Sequence, residues 1–136
     1  MDKKLFELFH ANKDVAFATS VDGKPHARIF QIMKIDAANN SIYFATSPKK
    51  EVYAQLKVNP NVAILDLKGA EFARINGTID FDIPDETQRE IFDTNPVLQR
   101  LYQTYKDLVY LRLKAETGDY FDLRTNPPTL LHYDFL

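Results

Sequence analysis

Residues 44–50, Phe-Ala-Thr-Ser-Pro-Lys-Lys, place two hydroxyls and two lysines where an apolar, β-prone run gives way to a helical pattern. That arrangement suits an anion. The free backbone N–H groups and partial positive charge of a helix start favour phosphate, and Lys49 and Lys50 would add full charges beside them. Lysines in a first helical turn oppose the macrodipole, which favours a bound anion. The other reading is Ser47 as an ordinary N-cap with both lysines solvated, and the spacing leaves both open. Arg28 stands in a strand-like run beside His26 and Phe30, able to fork onto a phosphate or to snorkel from an edge strand. Arg74, with Asn76 on the polar face of a long alternating run, reads as a surface arginine paired to a carboxylate. His26 and His132 are isolated from one another and read first as hydrogen-bonded structural residues, with proton carriage or haem ligation as the alternatives.

Other chemistries are excluded by composition. The 136 residues contain no cysteine and no tryptophan, which removes disulfides, thiolate nucleophiles, iron–sulfur clusters and cysteine zinc sites. Four glycines at scattered positions make neither a Walker loop nor a dinucleotide fingerprint. No serine sits in a Gly-x-Ser-x-Gly elbow, and the histidines are not spaced as metal ligands. A net charge of −2, with bases interspersed among acids, offers no footprint for nucleic acid. The first residues lack the apolar segment of a signal peptide, and no apolar run is long enough to span a bilayer, so a cytoplasmic protein is expected.

The elements that must position these groups are mostly strands. Residues 2–12 carry Leu5, Leu8 and Phe9 at helical spacing. Residues 15–20 and 26–35 read as a hairpin through Asp22-Gly23, and 41–46 as a third strand. The helix after it starts with Ser47 as cap and Pro48 at the first position, and ends at Asn59-Pro60. Residues 61–67 form another strand. The clearest alternation puts Ala73, Ile75, Gly77, Ile79, Phe81 and Ile83 on one face, with Gly77 permitting a bend or a close approach. Residues 84–105 read as a helical pair restarted by Pro96. Residues 108–114 and 120–125 read as a hairpin turning at 115–119, and 129–135 as an edge strand. Together these predict one mainly β (α+β) domain over 1–136, a six- to seven-stranded antiparallel barrel with short flanking helices.

Four segments occur in a telling order: Ala-Thr-Ser-Val-Asp-Gly-Lys-Pro-His-Ala-Arg-Ile-Phe at 18–30, Ile-Tyr-Phe-Ala-Thr-Ser at 42–47, the run 50–62 with Asn59-Pro60, and Ala-Arg-Ile-Asn-Gly at 73–77. This set resembles the pyridoxamine 5′-phosphate oxidase-like split-barrel flavoproteins, in particular their small nitroimidazole-resistance-related branch. The resemblance implies a homodimer with FMN at the subunit interface, and an oxidoreductase passing a hydride or electrons between a nicotinamide donor and a small acceptor. It equally accommodates an FMN carrier or sensor without turnover, a deazaflavin in place of FMN, or a haem-binding barrel. It implies that Arg28, Thr46, Ser47 and either Lys49 or Lys50 hold the flavin phosphate, that Ala45 is among the cofactor-binding residues, that the backbone of Ile29, Phe30 and Gln31 runs beside the ring, and that Arg74 and Gln55 are second-rank contacts. The oxidases carry an Arg-Lys pair early in the helix where this chain has Glu51 and Val52, which moves the phosphate role to Lys50 or Lys49. Their tryptophan-containing ending is also missing here, so the resemblance does not extend to a vitamin B6 oxidase.

Overall fold

The computed structural model describes residues 3–136, and the expected start of the first helix at residue 2 lies outside them. The helices are α1 (Lys3–Leu8), α2 (Glu51–Val58), α3 (Asp85–Thr94) and α4 (Pro96–Leu101). The strands are β1 (Asp14–Val21), β2 (Lys24–Gln31), β3 (Lys34–Asp36), β4 (Ser41–Thr46), β5 (Asn61–Lys68), β6 (Glu71–Asp80), β7 (Val109–Asp122) and β8 (Thr129–Asp134). All pairings are antiparallel, in the order β2-β1-β5-β6-β7-β4-β3, with β8 beside β7. This is the antiparallel barrel expected from the alternating runs, in the split form that the resemblance implies, with eight strands where six or seven were expected.

The strand count reflects two departures. The run 26–35 does not stay one strand: Ile32 N–H donates to Lys13 O at 2.8 Å and Met33 N–H to Tyr43 O at 2.9 Å. Neighbouring amides thus bond to opposite halves of the sheet, and the chain crosses the barrel there before β3 begins. The expected hairpin at 108–125 is instead one continuous strand, β7. Gly118 makes no turn; it faces the interior, where an added Cβ would meet Leu5 and Phe135 at 3.0 and 3.2 Å. One edge of β7 pairs with β6, and its other edge serves β4 over Val109 to Lys114 and β8 over Thr117 to Asp122. The change of partner is made at a bulge, where Asn76 opposes Thr117 but Gly77 opposes Ala115. Gly77 is needed here, since a Cβ on it would lie 2.1 Å from Lys114 O. β6 stops at Asp80, so Phe81 and Ile83 lie past the strand.

Alternation sends Val15, Phe17, Ile42, Phe44, Ile64, Ile75, Leu111 and Leu113 into the barrel, closed at one end by Leu5 and Leu8 of α1 and by Phe9 just after it. A second apolar layer joins Ile83, Ile91 and Leu98 of the helical segment to Met33, Tyr43, Leu108 and Tyr110 on the outside of the sheet. β4 is therefore covered on both faces. Among the described residues nothing of the kind covers the outer face of β2, β1 and β5, and Ile29, Leu65 and Leu67 are 65, 48 and 64% exposed. Among the described residues no helix is long and apolar enough to cross a membrane.

Candidate functional site

The site begins at the β1–β2 turn. Asp22 and Gly23 take positive φ values of 53° and 75°, the type I′ geometry of an Asp-Gly hairpin, and this sets Arg28 opposite Phe17 and His26 opposite Thr19. Arg28 then reaches across to the interior. Its Nη1 donates to Thr19 Oγ1 at 2.9 Å and to Phe17 O at 3.3 Å, and its Nη2 donates to Gln55 Oε1 at 2.8 Å. Thr19 Oγ1–H closes the triangle by donating to the same Gln55 oxygen at 2.8 Å. Thr19 and Gln55 are buried and Arg28 is half-buried. Burial lowers the Arg28 pKa from its ordinary value, and the charge of Glu51 acts in the opposite direction.

Helix α2 supplies the other wall. Val52, Gln55 and Leu56 face the barrel, so the buried Gln55 amide requires partners, which Arg28 and Thr19 provide. The helix starts at Glu51, later than Ser47 and Pro48 predict. Ser47 Oγ accepts from Lys49 N–H at 3.2 Å and Ser47 O from Lys50 N–H at 3.1 Å, so residues 47–50 form a turn that precedes the helix. Lys50 occupies the N-cap position with extended backbone, and its carbonyl accepts the first bond, from Tyr53 N–H.

Between β2 and α2 lies a cleft of about 360 Å³ lined by Arg28, Ile29, Phe30, Lys50, Glu51 and Val52. Both cations face one space. Phe30 anchors its floor against Phe17, ring centroids 4.8 Å apart, while Ile29 points outward. Thr46, at the end of β4, is only 3% exposed and its Oγ1 has no hydrogen-bond partner among the described residues. Such an orphan hydroxyl before a helix start is a donor awaiting an acceptor. A second cleft of about 300 Å³ continues along α2 past Gln55 to His26.

The structure thus gathers Arg28, Ile29, Phe30 and Lys50 around one cleft, with Gln55 holding Arg28 from behind. Thr46 and Ser47 belong to the adjoining strand-to-helix connection, Ala45 packs toward the second apolar layer, and Lys49 is exposed. Gln31 turns its amide to Asn12 O at 3.2 Å. Arg74 lies apart, on β6, three strands from β2 in the sheet order. Its Nη2 donates to Asp119 at 2.8 Å, and the other oxygen of that carboxylate meets His132 Nδ1 at 2.6 Å. The surface reading of Arg74 describes its position here. Hydrogen bonding from His132, then from Arg74, lowers the Asp119 pKa. Sequence reasoning did not single out Thr19; its signal was a polar residue at an inward position between Phe17 and the turn. Among the described residues no group of histidines and carboxylates could hold a metal ion.

Residues 1–124 match the family described as pyridoxamine 5′-phosphate oxidase. No curated protein sequence matches the chain. Among solved structures, a NimC/NimA family protein from Clostridium acetobutylicum superposes with a TM-score of 0.78 at 18% identity, over 96% of this chain and 92% of that one. A pyridoxamine 5′-phosphate oxidase-related, FMN-binding protein from Nostoc punctiforme gives 0.77 at 14% identity, over 92 and 82%. A haem-binding protein from Mycobacterium smegmatis gives 0.70 at 15% identity, over 91 and 53%. At these identities the structures share the fold.

Proposed function

Because this chain belongs to the pyridoxamine 5′-phosphate oxidase family, we propose that it binds FMN in the β2–α2 cleft and acts as an oxidoreductase toward a small acceptor, with a nicotinamide as donor. The observation that carries the proposal is the convergence of Arg28 and Lys50 on one cleft, with the buried hydroxyl of Thr46, unpartnered among the described residues, on the strand that leads into the same connection. The residues fit the group. A phosphate accepts from a guanidinium, an ammonium and a hydroxyl, and each is present with donors to spare. Lys50 lines the cleft and Lys49 does not, which favours Lys50 for the phosphate.

FMN, when bound, supplies hydride or electron transfer through its ring. The chain's own work is to bind, orient and shield it. β2 is the last strand of the sheet beyond β1, so the outward backbone groups of Ile29 to Gln31 have no strand across from them and can meet a polar ring edge. The uncovered outer face of β2, β1 and β5 would be closed by a second copy of the chain, which also excludes water from that side of the cleft.

Titration of purified protein with FMN, followed by flavin fluorescence, tests the binding. Saturable binding supports the reading, and its absence overturns it. Stopped-flow reduction of the loaded protein by NADH or NADPH, then reoxidation by quinones or nitroaromatics, separates an oxidoreductase from an FMN carrier. A haem protein would instead take up haem with a Soret band.

A further inference from the structure

The way Arg28 is held is unlike that of the other arginines with partners. Arg74, Arg89, Arg112 and Arg124 each meet a carboxylate within 3.1 Å. Arg28 is half-buried, yet its three acceptors, Phe17 O, Thr19 Oγ1 and Gln55 Oε1, are all neutral. Glu51 acts on it only through space. A half-buried cation oriented by neutral acceptors, with no carboxylate in direct contact, keeps donors for a ligand, and the cleft it lines is shared with Lys50 and Glu51.

We infer that Gln55 is a positioning residue that, with Thr19, aims the Arg28 guanidinium into the cleft while leaving it without a direct ion pair, so that the site selects ligands carrying a terminal phosphate over the same ligands without it. The inference rests on the FMN reading and deepens it. Three of the five N–H donors of Arg28 are spent on Phe17, Thr19 and Gln55. The rest are the ones a phosphate can use. Gln55 is 8% exposed, and its oxygen accepts from Arg28 and Thr19 together, so a carboxylate in its place would form a buried ion pair with Arg28 and cancel the charge the ligand meets.

The test compares FMN with riboflavin, which lacks the phosphate, by fluorescence titration of the wild type, Gln55→Glu and Gln55→Met, with a thermal melt of each. Gln55→Glu is expected to weaken FMN about 10- to 100-fold, roughly the cost of offsetting one charge-assisted contact, and to leave riboflavin affinity unchanged. Gln55→Met, matched in length and lacking a strong acceptor, is expected to lower the FMN-to-riboflavin preference by a smaller factor. A merely structural role would weaken both ligands together. Parallel losses, or an unchanged preference in a variant that folds, overturn the positioning role while the FMN reading stands. A wild type that binds riboflavin as tightly as FMN overturns it too, and a wild type that binds no flavin overturns both. Should Gln55→Glu fail to fold, Gln55→Met decides by the same ratio.

Discussion

Lys50 and Thr46 flank one connection but differ in what they contribute before any ligand arrives. Lys50 is exposed and its ammonium makes no ion pair among the described residues, so Lys50→Ala should leave the melting temperature unchanged. It should weaken FMN by about 1.5 to 3 kcal/mol, read by titration. Thr46→Val replaces a buried, unpartnered hydroxyl with a methyl. The free protein should be equally stable or gain up to about 1 kcal/mol in urea melts, while FMN affinity falls. Asp80 supplies a pH dependence. The Asp82 backbone N–H, then Arg112 and Lys114, hold its carboxyl at about 2 against the opposing effect of burial. A depressed pKa gives stability that is complete above the unfolded value near 4 and is lost as pH falls through the folded one. Urea melts between pH 5 and 2 should therefore lose about 1 to 2 kcal/mol from this group, and Asp80→Asn should flatten that part of the acid limb.

Among the elements, β7 has the most consequence for the barrel, because one strand serves β6 on one edge and both β4 and β8 on the other. The bulge that allows this depends on Gly77 lying against the Lys114 carbonyl. Gly77→Ala should cost about 3 kcal/mol or more, since the obstacle is backbone that cannot rotate away. A drop in melting temperature, or loss of soluble protein, would show it. The long alternation at 73–83 and the Asp-Gly turn were legible in sequence because period and turn chemistry are local. The hairpin expected at 115–119 was not, because a Gly-containing polar run serves a bulged strand as readily as a turn. The start of α2 was legible only to within a turn: Ser47 and Pro48 form the residues before the helix rather than its first turn.

For the molecule as a whole, the contrast between its two flanks matters most. One outer flank of the sheet is covered by α3 and α4 through Ile91 and Leu98, and the other presents Ile29, Leu65 and Leu67 to solvent beside a largely apolar hollow of about 390 Å³. A second copy burying this face against itself is the proposed solution. Light scattering should give twice the chain mass, and Leu65→Glu should shift it to the monomer by placing a charge at the centre of the contact. FMN affinity should fall with it, since the cleft borders that face through Ile29.

By itself the sequence determined a mainly β antiparallel barrel, the approximate strands and the absence of thiol and metal-thiolate chemistry, because alternation, turn residues and residue inventory are local properties of the chain. Tertiary structure decided which of the named residues share a space. Arg28 and Lys50 line one cleft, Lys49 and Arg74 stand apart, and Thr19, on the inner row of β1, joins Gln55 behind Arg28. Those relations depend on strand register and on the crossing at Ile32 and Met33. They are set by the packing of segments far apart in the chain, and no window of neighbouring residues contains them.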